Sequence, residues 1–223
     1  MIQLSPSKLN VLKECPRCFW LENVRGIKRP RGAFPSLPGG MDKVLKAHYD
    51  TRRGEIVRCG PDEIGFLMTN MATLNGWRNW RSGLVYINPE LNVKMVGALD
   101  DCLVDAEKYY IPLDYKTKGS QPKTDGSEYY QGQLDCYILM LESNGFKTRR
   151  MGYLKYVWPV EVKPGTLMDL EFDTATYPIK CDPDRAIAAV AEAVRVMGLK
   201  EAPLAGAECE YCKYVFEQDN IKR

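Results

Sequence analysis

The sequence predicts an α/β domain with a central mixed sheet flanked by helices, and two patterns carry that expectation. Between Val85 and Lys116, short runs of β-branched and aromatic residues alternate with polar ones, the period of half-buried strands. On either side the apolar spacing is helical instead, with Met41, Val44, Leu45 and His48 before this region and Tyr130, Leu134, Ile138 and Leu141 after it. At 223 residues and 45% hydrophobic content, the chain is long enough for one substantial core and too apolar for wholesale disorder.

Taken in order, Ser5-Pro6-Ser7 ahead of Leu9, Leu12 and Phe19 predicts a helix with Ser5 as its cap and Pro6 in its first position. Cys15-Pro16-Arg17-Cys18 then interrupts or redirects it. Gly26, Pro30, Gly32, Pro35, Pro38, Gly39 and Gly40 make residues 26–40 read as an irregular surface loop. A helix is expected from about Asp42 to Arg53, with His48, the only histidine, on its buried face. Residues 54–82 are less legible: Trp77 and Trp80 suggest a helical face that Gly65, Gly76 and Gly83 weaken. Val93 to Val104 and Tyr109 to Lys116 read as a hairpin turning at Asp105-Ala106-Glu107-Lys108. A helix follows from Gly126 to Glu142, then a strand from Arg150 to Val157. A last helix runs through Ala186, Val190, Val194 and Met197, capped by Asp182 or Asp184.

Charge is nearly balanced, with 31 Lys plus Arg against 29 Asp plus Glu, so any grip on nucleic acid must come from local clusters. Candidates are Lys28-Arg29-Pro30-Arg31, Arg52-Arg53, Lys147 to Arg150, and the Trp77-Arg78 and Trp80-Arg81 pairs, which can stack bases and hold phosphates. Against this, tryptophans are more often core and short basic runs more often solvated surface. No stretch approaches the roughly 20 apolar residues of a membrane span. Met1-Ile2-Gln3-Leu4-Ser5 lacks the features of a signal peptide. The expected location is therefore cytoplasmic, where structural disulfides are disfavoured.

Strand alternation puts Asp114 and Lys116 on one face, with Leu113 and Tyr115 on the other. Across the hairpin, Asp100 shares a face with Ala98, Cys102 and Val104, and a suitable register brings it beside Asp114, while Asp101 faces away. Two convergent carboxylates repel unless a cation lies between them, and oxygen ligands suit Mg²⁺ or Mn²⁺. Such an ion can activate water for attack on a phosphodiester, with Lys116 orienting the water or neutralising the developing charge.

Gly97-Ala98-Leu99-Asp100, Leu113-Asp114-Tyr115-Lys116-Thr117 and Gln133-Leu134-Asp135-Cys136-Tyr137, in that order and spacing, resemble the signature of RecB-like PD-(D/E)xK nucleases. The resemblance implies a restriction-endonuclease-like core in which Asp100 and Asp114 bind metal, Lys116 is catalytic, and Gln133 and Tyr137 help form the active site. It also implies a metal-binding histidine on an upstream helix, for which His48 is the candidate. Leu99 stands where the superfamily's name has proline, a common departure.

Cys15-x-x-Cys18 and Cys209-x-x-Cys212 are two knuckles about 190 residues apart, a spacing that suits one closed tetrahedral zinc site joining the termini. The opening Ser5-Pro6-Ser7-Lys8-Leu9 with Cys15-Pro16-Arg17 resembles the CRISPR-associated exonuclease branch, and that resemblance implies a 4Fe-4S cluster held by one N-terminal and three C-terminal cysteines. This chain lacks the third C-terminal cysteine, so Cys18 would have to replace it. Cys59, Cys102, Cys136 and Cys181 are isolated and read as buried thiols. The expectation is one nuclease domain over 1–223, with 1–25 and 200–223 forming the clasp around a core at about 40–200. Its activity would be exonucleolytic on single-stranded DNA, in repair or in spacer acquisition with an integrase partner. The rival is a non-catalytic nucleic-acid-binding module with a zinc clasp.

Overall fold

The structure is a computed structural model that describes residues 1–30, 32, 36–123, 126–163, 165 and 169–221. Arg31 of the first basic run and Pro35 of the breaker-rich segment lie outside the described residues, as do 222 and 223 of the expected clasp. The elements run β1 (Ile2–Leu4), α1 (Pro6–Glu14), α2 (Pro16–Arg25), α3 (Ser36–Asp50), β2 (Ile56–Cys59), β3 (Asp62–Leu67) and α4 (Met71–Trp77). They continue with β4 (Leu84–Asn88), β5 (Val93–Gly97), β6 (Asp101–Val104), β7 (Tyr110–Thr117), α5 (Ser127–Ser143), β8 (Met151–Val162), β9 (Leu170–Lys180), α6 (Pro183–Met197) and α7 (Glu210–Ile221).

Six strands form a mixed sheet in the order β2-β3-β6-β7-β8-β9, antiparallel except where β7 meets β8. The parallel pair needs a crossover, and α5 supplies it. A smaller sheet, β1-β5-β4, pairs the N-terminal strand with β5 in parallel. Helix α5 touches strands of both sheets as well as α1 and α6. Every residue from Leu134 to Leu141 is accordingly buried, the signature of a helix covered on all sides. On the opposite face of the large sheet, α3 covers Leu103, Ile111, Leu113 and Tyr115 with Leu45 and Tyr49. The Tyr49 and Tyr115 rings stack 5.0 Å apart.

Local chemistry explains the boundaries near the N-terminus. The Ser5 hydroxyl accepts from the Lys8 amide with Pro6 next in line, as expected of that cap. Cys15 ends α1 and starts α2, its sulfur accepting from the Cys18 amide in the place a serine oxygen usually takes. Asp182 caps α6 by accepting from Asp184 N.

Several expectations are corrected. The breaker-rich segment is helical from Ser36, because Pro38 falls in the first turn, where a missing N–H costs nothing. Helix α3 is also rotated from the expected phase. Its inward stripe is Asp42, Leu45, Lys46 and Tyr49, whereas Val44 is 62% exposed and His48 is exposed, its ring edge-on to Tyr49 at 5.1 Å. The expected strand Val93–Val104 is two strands in two different sheets, broken at residues 98–100. The β8 strand continues past Val157 to Val162. Trp77 is core on α4, but Trp80 lies beyond the helix and is 71% exposed. Cys102, Cys136 and Cys181 are buried; Cys59 is only partly so.

Candidate active site

The site forms where β6 begins beside β7. The register pairs Asp101 with Leu113, which sets Asp100 next to Asp114. Asp100 Oδ2 accepts from the Tyr115 amide at 3.2 Å. Asp114, 1% exposed, takes a hydrogen bond at Oδ1 from Gln133 Nε2 at 3.0 Å. Its Oδ2 is buried and ion-paired with Lys116 Nζ at 2.5 Å. Burial pushes the Asp114 carboxyl up to about 7, with Lys116 opposing and Asp100 adding to the rise. Burial alone would lower the Lys116 value, but Asp114 and Asp100 outweigh it and hold the ammonium charged.

Gln133 and Tyr137, one turn apart on α5, lock the carboxylate in place. The Gln133 amide donates to Asp114 and, at 2.7 Å, to the Tyr137 hydroxyl, which donates onward to Ala98 O at 2.6 Å. Gln133 Oε1 faces Lys116 Nζ at 3.4 Å, and the same ammonium lies 4.3 Å from the centre of the Tyr130 ring. Burial raises the Tyr137 hydroxyl well above its ordinary value, so it remains a neutral donor. Asp100, Asp114, Lys116, Gln133 and Tyr137 thus meet at one place. His48 does not join them.

Two features of the site escaped the sequence reading. Lys46 on α3 pairs with Asp100 Oδ1 and Asp42 Oδ2, both at 2.8 Å. Beneath the site, Asp101 accepts from Arg53 at 2.7 Å through each of its oxygens and from Tyr115 Oη at 2.6 Å, while Arg53 and Arg78 also hold Asp50. Arg78 Nε donates to Asp100 O at 2.8 Å, so this buried network fixes the backbone that presents Asp100. Arg53 and Arg78 are therefore structural and unavailable to phosphate. Arg149 and Arg150 are likewise paired, with Asp105, Glu107 and Glu142. The α3 stripe was as periodic as the one expected, but Asp42 and Lys46 are polar, and apolar spacing could not select it.

A groove of about 870 Å³ runs past the site, reaching Gln133 and Tyr137 and walled by Trp80, Lys13, Lys118 and Tyr129. Asp114 is not among its walls but is hydrogen-bonded to one of them, Gln133.

Across the molecule, the sulfurs of Cys15, Cys18, Cys209 and Cys212 all lie within 4.8 Å of one another. The closest pairs are 3.6 Å (Cys18 to Cys209 and to Cys212) and 3.8 Å (Cys15 to Cys212). Thiolates about 2.3 Å from one tetrahedral ion are about 3.8 Å apart. A 4Fe-4S cluster binds each thiolate to a different iron around its outside and needs a wider spread, so this cluster does not fit the observed spacing. The Cys18 and Gly206 amides donate to Cys15 Sγ. Gly206 has no substitute there, since a β-carbon would collide with the Glu14 carbonyl.

A family model for the PD-(D/E)XK nuclease superfamily matches residues 42–216, most of the chain. The chain belongs to that superfamily. PD-(D/E)XK nucleases act on nucleic acid and use divalent metal ions, and the donor set at Asp100 and Asp114 suits such an ion: hard carboxylate oxygens set side by side, one carboxylate buried. Among solved structures, SSO0001 aligns over 96% of this chain and 84% of its own at 15% identity with a TM-score of 0.45, a likeness too remote to bear on chemistry. No curated relative matches the PD-(D/E)XK chain by sequence. No helix among the described residues is long and apolar enough to cross a membrane.

Proposed function

We propose that this chain is a DNA nuclease that hydrolyses phosphodiester bonds at Asp100, Asp114 and Lys116 with Mg²⁺ or Mn²⁺. The observation that carries the reading is the buried Asp114 carboxylate held against a lysine and beside a second carboxylate. A divalent ion held by Asp100 and Asp114 would supply Lewis acidity toward the phosphate and its attacking water. Lys116, kept protonated by its acidic neighbours, sets a fixed positive charge where negative charge grows on the phosphoryl oxygens. Gln133, itself held by Tyr137, fixes the Asp114 carboxylate in one orientation. His48 is left out of the ligand set, being exposed on the outer side of α3.

The order Asp100, Asp114-x-Lys116, Gln133-x-x-x-Tyr137 supports a RecB-like member. Single-stranded DNA is the preferred substrate in this reading, because Trp80, Tyr129 and Tyr130 offer base-stacking faces beside Lys13 and Lys118 in a groove that reaches Gln133, the residue hydrogen-bonded to Asp114. Exonucleolytic cutting follows from a strand end threaded along that groove. For the clasp, the sulfur spacing supports a single zinc ion. The role in this reading is DNA processing, in repair or in spacer acquisition with an integrase partner. The test is digestion of end-labelled single and double strands with Mn²⁺ and with EDTA, for the wild type and Lys116→Ala. Loss of cutting in EDTA and in the variant is expected, and full cutting by the variant would overturn the assignment.

A further inference from the structure

At the cysteine clasp, we propose that Arg29 is the charge-balancing residue of the metal centre, a cation fixed against the sulfurs that sets how tightly Cys15, Cys18, Cys209 and Cys212 hold zinc. The role rests on the zinc reading above and deepens it by naming a residue outside the ligand set. A zinc ion with four thiolates carries a net double negative charge. Cys15, Cys18 and Cys209 are buried, so that charge needs a positive neighbour inside the protein. Arg29 supplies one: its Nη2 lies 3.9 Å from Cys209 Sγ, and its side chain is only 19% exposed. Arg17 and Lys28 line the same cleft but are exposed, where water and salt screen them.

The guanidinium is positioned from two further sides. Nη1 pairs with Glu14 Oε2 at 2.6 Å, and the guanidinium carbon lies 5.0 Å from the centre of the Tyr211 ring. Glu14 precedes Cys15 and Tyr211 lies between Cys209 and Cys212, so each cysteine knuckle contributes one support. Glu14 alone does not explain why the cation is held inward. That carboxylate is 50% exposed, which weakens its pull, and Arg29 Nε is buried without a hydrogen-bond partner among the described residues. A guanidinium that gives up water at Nε and gains no hydrogen bond there needs a negative field on its buried side, and the metal-bound thiolates provide it. The empty clasp, with neutral thiols, offers no such charge. The attraction therefore favours the loaded state and raises metal affinity.

Zinc affinity of the intact chain is measured by competition with a chromophoric chelator, for the wild type, Arg29→Gln, Arg29→Lys and Lys28→Gln. Co²⁺ is then substituted for zinc to read the sulfur-to-metal charge-transfer absorption. Arg29→Gln is expected to weaken zinc on the order of tenfold or more and to move the charge-transfer band to longer wavelength, as the sulfurs lose their positive neighbour. Arg29→Lys keeps the charge but not the planar fork and is expected to recover most of the affinity, while Lys28→Gln matches the wild type. Thermal unfolding confirms that each variant is folded, and Arg29→Met carries the same test if Arg29→Gln is not. Wild-type affinity or an unmoved band in Arg29→Gln would overturn the inference, as would equal losses in Arg29→Gln and Arg29→Lys, the mark of a side chain that only packs. Stoichiometric zinc in the wild type leaves the zinc reading intact in each of those cases; a wild type that takes up no zinc would remove that reading itself.

Discussion

Adjacent acids at 100 and 101 are expected to fail in opposite ways, and Asp101→Ala is the sharper case. Asp101 is fully buried and accepts from both arms of Arg53, from Tyr115 Oη, from the Cys102 amide and, at 3.4 Å, from Arg78. Truncation leaves a guanidinium that is 9% exposed and a phenol without their acceptor. Breaking a buried pair from one side costs about 3–5 kcal/mol; Asp50 remains to hold Arg53 and Arg78, which places the loss near about 3 kcal/mol. Urea unfolding followed by tryptophan fluorescence reads it as a lower midpoint with unchanged slope. Asp100→Ala, by contrast, removes a partly exposed acid and is expected to keep its midpoint but lose metal-dependent cutting. A loss below about 1 kcal/mol for Asp101→Ala, the range of exposed ion pairs, would refute the argument that this network supports the site.

Other outcomes follow from the same geometry. Cys212→Ser should abolish a single equivalent of bound zinc and lower the thermal midpoint; a brown protein absorbing near 400 nm, about where iron-sulfur clusters absorb, would contradict the sulfur spacing. Trp80→Ala should weaken single-stranded DNA binding by about 1–3 kcal/mol while leaving the thermal midpoint unchanged, because the ring is exposed; unchanged affinity would remove the groove from the DNA path. Slight burial would raise the Asp105 carboxyl, but the Tyr109 amide and Arg149 outweigh it and hold the value below the ordinary one. The stability this gives is present above the unfolded value of about 3.9 and is lost as pH falls through the lower folded one. Asp105→Asn should therefore flatten the acid limb of the stability profile, and an identical limb in the variant would contradict the turn's role.

What could be read from the sequence was local. The β7 strand declares itself by alternation, with Leu113 and Tyr115 facing α3 and Asp114 and Lys116 facing Gln133. Likewise Ser5, Pro6 and Asp182 mark helix starts through chemistry confined to one turn. The misses depend on distant partners. β1 is three residues long and exists because it pairs with β5 some 90 residues later. The break at residues 98–100 is forced by two sheets competing for one apolar run. The β2–β3 hairpin turns at Gly60-Pro61, with Gly60 at φ 59, a local turn pair of the kind a sequence can carry. The phase of α3 follows the packing of Leu45 and Tyr49 on β7, which no count of apolar spacing contains, and it puts Asp42 and Lys46 on the inward stripe in place of Val44 and His48.

The most direct test of metal-dependent hydrolysis at the paired carboxylates is single-turnover digestion of a 5′-labelled single strand in Mn²⁺ by the wild type and Asp114→Asn. The substitution keeps the shape of the side chain and removes its charge, and the thermal midpoint of the variant checks that it is folded. Cutting by the wild type that stops in EDTA, and no cutting by a folded Asp114→Asn, is the predicted result; equal rates for the two proteins would contradict it.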